Sequence, residues 1–264
     1  MSVYGSLPAP LLLIGRIDRV VKENVIEIFS SVQGEGKYAG CRQVFIRLEG
    51  CNISCRYCDT EHMTGKHDVC IVESVPGSHE SVEISNPMTA EAVAAEVKRF
   101  TDNVPHQAVS ITGGEPLLHA EFVRELAKHV DVPVFLETNG TLPEKLKQVV
   151  DCVDIISMDI KLPSELNGKT YWAEHRDFLC TAKGKDIYCK IVLTQDTAKE
   201  EFEKACRIIS DVDDTILLIL QPVTPFGGAE PPSAKEMLQW QAEGLKFLKN
   251  VRVIPQTHVM MGQL

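Results

Sequence analysis

Cys51, Cys55 and Cys58 fall within eight residues, in the run CNISCRYCDT. Thiolates are the soft ligands that iron-sulfur clusters use, and spacers of three and two residues let one short loop wrap a cubane. Three ligands on a four-iron cluster leave the fourth iron open to a small molecule, so the loop is built for chemistry. Zinc is the competing reading. A structural zinc site takes four ligands, often as two CxxC pairs. Here only Cys55 and Cys58 form a CxxC among nine cysteines, and Cys41, Cys70 or His62 would have to complete the set. The cluster is the better fit.

A second run, TGGEP at residues 112–116, follows an apolar segment. Adjacent glycines, Gly113 and Gly114, permit backbone conformations and close approaches that a side chain would block. Pro116 suits a first helical position. Alone, these residues describe an ordinary strand-to-helix turn. Together, a CxxxCxxC loop with an aromatic before its last cysteine and a TGGEP about one strand-helix unit later resemble the radical S-adenosylmethionine superfamily. The resemblance implies a 4Fe-4S cluster on Cys51, Cys55 and Cys58. Its open iron would chelate the amino and carboxylate groups of S-adenosylmethionine (SAM), and reduction would cleave SAM to a 5'-deoxyadenosyl radical.

The flanks narrow the resemblance. IFSSVQGEGKYAGCRQVFIRLEGCNISCRYCDT at 28–60, SMDIKLPS at 157–164, LQPVTP at 220–225 and VIPQTH at 253–258 are similar in sequence and order to the 7-carboxy-7-deazaguanine synthase family. That family implies ring contraction of 6-carboxy-5,6,7,8-tetrahydropterin with loss of ammonia, a carbon-nitrogen lyase reaction of queuosine and 7-deazapurine biosynthesis. It implies Mg2+ held in part by Thr60, and substrate contacts at Val32, Gln33, Gly34, Glu35, Arg47 and Thr112. For SAM it implies Gly113, Gly114, Glu115, Glu137, Asn139, Asp159, Lys161 and Gln221. No general base is identified. Many members carry a compact SPK where this chain has SMDIK, and in some the terminal carboxylate, here that of Leu264, approaches the substrate.

Without the resemblance these residues read more plainly. QGEG is a polar turn, Arg47 an ion-pair partner, and Asp59 with Thr60 a turn or helix cap. A guanidinium can nevertheless grip a carboxylate with two parallel bonds, and a hydroxyl suits a hard, hydrated cation. Two other functions share some of the features. Glycyl-radical activating enzymes have the cysteine loop and can have a DIK motif, but act on a protein and have no use for QGEG or a carboxylate-binding arginine. A zinc-binding interaction module is the non-enzymatic alternative.

With 264 residues the chain is long enough for one α/β domain with a large core. Lys and Arg number 27 against 37 Asp and Glu, a net charge of −10. That balance disfavours nucleic-acid binding, which relies on basic patches. Nine cysteines without framework spacing point to a reducing compartment. The stretch LPAPLLLIG has only four consecutive strongly apolar residues and no basic flank, so neither a membrane span nor a signal peptide is expected. Cytoplasm follows. A small-molecule pterin substrate, a reductant such as flavodoxin or ferredoxin, and a homodimer are what the family adds.

Positioning these residues requires strands followed by loops. Apolar runs at 44–48, 108–111, 134–136, 155–158, 187–193, 216–220 and 251–254 read as strands. Helical patterns cover 89–100, 117–130, 144–150, 197–210 and 233–248, with Thr89 as an N-cap. Alternation of this kind predicts parallel strands with crossover helices. The resemblance specifies a partial (β/α)6 barrel of TIM-like type, whose chemistry would gather where strands end. One domain over 1–264 is expected, with an N-terminal extension over 1–24 and a loop insertion over 61–88 carrying a short strand near 69–72. Cys70 reads there as a small buried hydrophobe.

Overall fold

The computed structural model describes residues 20–58 and 65–263. Thr60, Asp59, His62 and Leu264 therefore lie outside the described residues, as does most of the N-terminal extension.

In chain order the strands are β1 (Lys22–Glu23), β2 (Val25–Val32), β3 (Arg42–Leu48), β4 (Val69–Glu73), β5 (Ser81–Ser85), β6 (Met88–Thr89), β7 (Ala108–Gly113), β8 (Val134–Thr138), β9 (Ile155–Asp159), β10 (Asp186–Leu193), β11 (Leu217–Pro222) and β12 (Val251–Val253). The helices are α1 (Ala90–Asn103), α2 (Ala120–Ala127), α3 (Pro143–Leu146), α4 (Trp172–Thr181), α5 (Lys199–Asp213), α6 (Ala234–Gly244) and α7 (Thr257–Met260). One ten-stranded sheet runs β12-β11-β10-β9-β8-β7-β3-β2-β4-β5. From β3 through β12 every pairing is parallel. The sheet ends at β12 and β5 without closing, as a partial barrel does.

The parallel strands are nearly continuous apolar runs because they are covered on both faces. Their period-2 alternation sorts them into two layers. Val44, Ile46, Leu48, Val109, Ile111, Leu136, Ile156, Met158, Cys189, Ile191, Leu218 and Leu220 point outward and pack with Val93, Val97, Phe100, Phe122, Phe202 and Ile209 of the helices. The other face looks into the barrel. Near the strand starts it carries Ala108, Phe135, Ile155, Tyr188, Leu217 and Ile219, a mainly apolar plug beside the buried Gln43 and Ser110. Further along the same face stand Arg47, Thr112, Glu137, Ser157, Asp159, Lys190 and Gln221, which line a cavity. The polarity change along one face places chemistry at the C-terminal ends of the strands.

Local signals act as expected where they are strong. Thr89 caps α1 by accepting from Ala92 N at 3.1 Å, and Ser233 with Glu236 forms a capping box on α6. The segment that reads as a loop insertion differs: its described part forms the antiparallel hairpin β4–β5, with β4 parallel to β2. Cys70 is fully buried in it, with the core behind. No helix among the described residues is long and apolar enough to cross a membrane.

Candidate active site

Cys51, Cys55 and Cys58 lie on the wall of a cavity of about 470 Å³ at the C-terminal mouth of the barrel. The loop that carries them follows β3 and is held from two sides. Arg56 N donates to Glu165 O at 3.0 Å, and the Arg56 guanidinium meets the buried Glu165 carboxylate at 3.1 Å and Asp196 at 2.9 Å. On the other side Asn52 donates to Thr141 Oγ1 at 2.8 Å and accepts from Asn139 Nδ2 at 2.9 Å. Burial pushes the Cys51 thiol up and the Cys55 thiol up to about 11. Bound iron must displace those protons, which a cation does by stabilising the thiolate.

The glycine pair explains how the next loop fits. Gly113 has φ +129°, and a Cβ on it would lie 2.1 Å from Leu48 O; one on Gly114 would lie 2.2 Å from Gly50 O. No side chain fits between the TGGEP and cysteine loops, and both glycines also line the cavity. Glu115 does not. It is fully buried, and its carboxylate accepts from Thr138 Oγ1, Asn139 N and Leu117 N at 2.8–3.0 Å. Burial outweighs those bonds and raises its pKa to about 7. Glu115, expected beside the SAM amino group, ties its own turn to the end of β8 through these bonds.

The remaining expected residues converge. Val32, Gln33, Gly34, Glu35, Arg47, Thr112, Glu137, Asn139, Asp159, Lys161 and Gln221 all line the cavity. Arg47 also keeps its simpler role, since its Nε donates to Glu27 across the β2–β3 pair at 2.6 Å. Glu137 Oε1 accepts from Gln33 Nε2 at 2.9 Å and Ser110 Oγ at 2.7 Å. Glu35 is bonded to Lys190, Gln221 and Gln256. Burial pushes the Glu35 carboxyl up, but the Lys190 charge and these bonds more than reverse that and hold it at about 2. Asp159 Oδ2 accepts from Lys161 at 2.8 Å. Burial opposes the Lys161 charge, yet Asp159, Tyr57 and Cys55 keep its pKa well above the ordinary value.

Lys190, Gln256, His258, Tyr57 and Ser157 line the cavity as well without having been singled out. Gln256 and His258 lie in the VIPQTH run, and Thr257 N seats it by donating to Gly34 O at 2.8 Å. Lys190 left one signal in the sequence: a lysine inside the apolar run DIYCKIVL.

The donor set fits a cluster and SAM. Three thiols share one wall, and Asp159 Oδ1 and Gln221 Oε1 are buried acceptors with no partner among the described residues. Such atoms are costly unless a ligand supplies N–H or O–H donors, and the ammonium, ribose and adenine groups of SAM carry both.

Residues 45–207 match the family described as the Radical SAM superfamily. The chain is 44% identical over 247 residues to 7-carboxy-7-deazaguanine synthase of Geobacter sulfurreducens, covering 90% of this chain and 96% of that one. It is 35% identical to the enzyme of the same name from Methanocaldococcus jannaschii, covering 90% and 99%. The crystal structure of QueE from Escherichia coli superposes with a TM-score of 0.61 at 21% identity over 90% of this chain and 95% of that one, a likeness of fold. At this identity and coverage, the chain belongs to the radical SAM superfamily and, within it, to the 7-carboxy-7-deazaguanine synthases.

Proposed function

We propose that this protein converts 6-carboxy-5,6,7,8-tetrahydropterin to 7-carboxy-7-deazaguanine with release of ammonia. The observation that carries the reading is the single cavity shared by Cys51, Cys55 and Cys58 on one wall and the QGEG loop and Arg47 on another. Thiols alone describe the superfamily; the second wall is what suits a carboxylated pterin.

A 4Fe-4S cluster on the three cysteines, with bound SAM, supplies the hydrogen-abstracting radical. The chain's own residues bind, orient and shield. Gly113 and Gly114, packed directly on the cysteine loop, line the part of the cavity where SAM would sit, and Asp159 Oδ1 and Gln221 Oε1 would accept from its donors. Asn139 and Lys161 frame the same region, and Glu137 stands between it and the substrate loop. Arg47 faces the pterin carboxylate, because a guanidinium whose Nε is fixed by Glu27 keeps a planar edge for a second carboxylate. Glu35, ionised, accepts from pterin N–H groups, with Val32, Gln33, Gly34 and Thr112 shaping the same wall. Thr60 would give a hydroxyl oxygen to Mg2+. Flavodoxin or ferredoxin delivers the electron, the working unit is a homodimer in the cytoplasm, and residues 1–264 form one domain.

The test is direct. Reduced protein under anaerobic conditions receives both the pterin and SAM, and the product is sought by mass spectrometry. SAM cleavage without 7-carboxy-7-deazaguanine would overturn the substrate and keep the superfamily.

A further inference from the structure

Lys190 departs from the pattern of its own strand. On β10, Cys189, Ile191 and Leu193 join the outer core, while Tyr188 and Val192 face inward among apolar neighbours. Lys190 shares that inner face, and its side chain is only 10% exposed. An ammonium in such a place is strongly unfavourable unless carboxylates meet it. Two do. Its Nζ is bonded to Glu35 Oε2 and lies 3.3 Å from Asp159 Oδ2, which is itself 2.8 Å from Lys161. Glu35, Lys190, Asp159 and Lys161 thus form a row of alternating charges, from the loop after β2 to the segment after β9.

Glu35 Oε1 is held by neutral donors, Gln256 at 2.6 Å and Gln221 at 3.2 Å. Arg47 from β3, Tyr57 from the cysteine loop, Glu137 from β8, Asp159 and Lys161 from β9 and beyond and His258 from α7 line the same space, with Tyr188 of β10 in the apolar cluster on the same inner face. Among the described residues Lys190 is the cation bonded to the Glu35 carboxylate. We propose that Lys190 is a positioning residue that keeps Glu35 anionic and aimed into the cavity for the substrate's ring N–H groups, and that joins the substrate loop to the strand bearing Asp159. This rests on the substrate reading above. A protonated Glu35 would turn a donor toward donors. Burial by itself drives the carboxyl that way, and the ammonium reverses it.

The experiment measures equilibrium binding of 6-carboxy-5,6,7,8-tetrahydropterin to the anaerobic, cluster-bearing protein between pH 5.5 and 8.5. Lys190→Met, Lys190→Arg, Glu35→Gln and the Lys190→Met/Glu35→Gln double variant are compared with wild type. Cluster absorbance verifies each fold. In Lys190→Met, affinity at pH 7 should fall by about tenfold or more, the span of a lost charge-assisted bond. The loss should deepen toward pH 5.5 as Glu35 takes up a proton. Lys190→Arg should recover most of the affinity and the wild-type profile. The double variant should lose little more than Glu35→Gln alone. Wild-type affinity and pH profile in Lys190→Met overturn the proposal. So does a pH-independent loss that arginine does not rescue and that adds in full to Glu35→Gln, the signature of a merely structural residue. If Lys190→Met fails to hold its cluster, Lys190→Gln and the Lys190→Gln/Glu35→Gln double variant, which also remove the charge, take its place with the same expected and overturning results. A wild-type protein that does not bind the pterin removes the substrate reading first, so the two failures are distinct.

Discussion

The Cβ of Cys51 lies 2.7 Å from the point a Cβ on Gly114 would occupy, with Gly50 O closer still at 2.2 Å. The TGGEP loop is therefore in backbone contact with the loop that carries the cluster ligands. Gly114→Ala must displace Gly50 and Cys51 or its own turn. A loss of roughly 1–3 kcal/mol is expected for such overpacking, together with a lower iron content per chain after anaerobic reconstitution. Full iron occupancy and an unchanged denaturation midpoint in this variant would show that the two loops are free to part.

Cluster ligation can be separated from cysteine content. Cys55→Ala should abolish the brown colour and SAM cleavage, since two thiolates cannot hold the cubane in a reactive state. Cys70 and Cys206 are buried in the outer core. Burial pushes both thiols up to about 12, in keeping with inert core cysteines. Cys70→Ala and Cys206→Ala should keep iron and cleavage, at a packing cost of roughly 1–2 kcal/mol each. Bleaching by Cys70→Ala would mean that the ligand set is wrong.

The seven parallel strands from β3 to β12 are legible because burial on both faces writes them as nearly continuous apolar runs. Their polar ends are not: Thr112, Gly113, Glu137 and Thr138 extend β7 and β8 into the site. β5 was missed because SVEIS is mostly exposed, and α4 because its buried side is only His175, Phe178 and Leu179 in a run with several charged residues. The cysteine and glycine motifs could be read because their meaning is local. Lys190 and Glu35 are 155 positions apart, so their bond cannot be seen until the barrel brings β10 beside the loop after β2. The bonds of Glu115 to Thr138 and Asn139, 23 and 24 positions on, are likewise invisible until β7 and β8 pair.

Arg47 tests the substrate class. Arg47→Lys keeps the charge but loses the planar edge and the Nε bond to Glu27. Pterin affinity should fall by roughly 1.5–3 kcal/mol, or about one to two orders of magnitude, with cluster absorbance unchanged. The same titration with a pterin lacking the carboxylate should show little difference between variant and wild type. Equal losses for both ligands would remove Arg47 from carboxylate recognition and leave it as the partner of Glu27.

His175 makes a prediction about stability and pH. It is fully buried on α4, with Nε2 3.2 Å from Asn139 O and Nδ1 without a partner among the described residues. The arrangement fits the neutral ring with the proton on Nε2, since a second proton on Nδ1 would be a buried, unpaired donor. Burial depresses the pKa from 6.5 to about 4, against the bond to Asn139 and the Asp159 charge. The unfolded chain then takes up this proton first as pH falls. Stability from His175 is complete above about pH 6.5 and is lost progressively as pH drops toward 4. Glu115 works in the opposite sense between about pH 4.5 and 7, but it is common to wild type and variant and cancels in their difference. His175→Gln retains a donor toward Asn139 O and cannot titrate. Between pH 7 and pH 5 the wild type should therefore lose on the order of 2 kcal/mol more than His175→Gln, from the shift in pKa. Anaerobic urea denaturation of both proteins at a series of pH values measures it. Parallel stability curves for the two would show that the His175 ring is not held neutral in the fold.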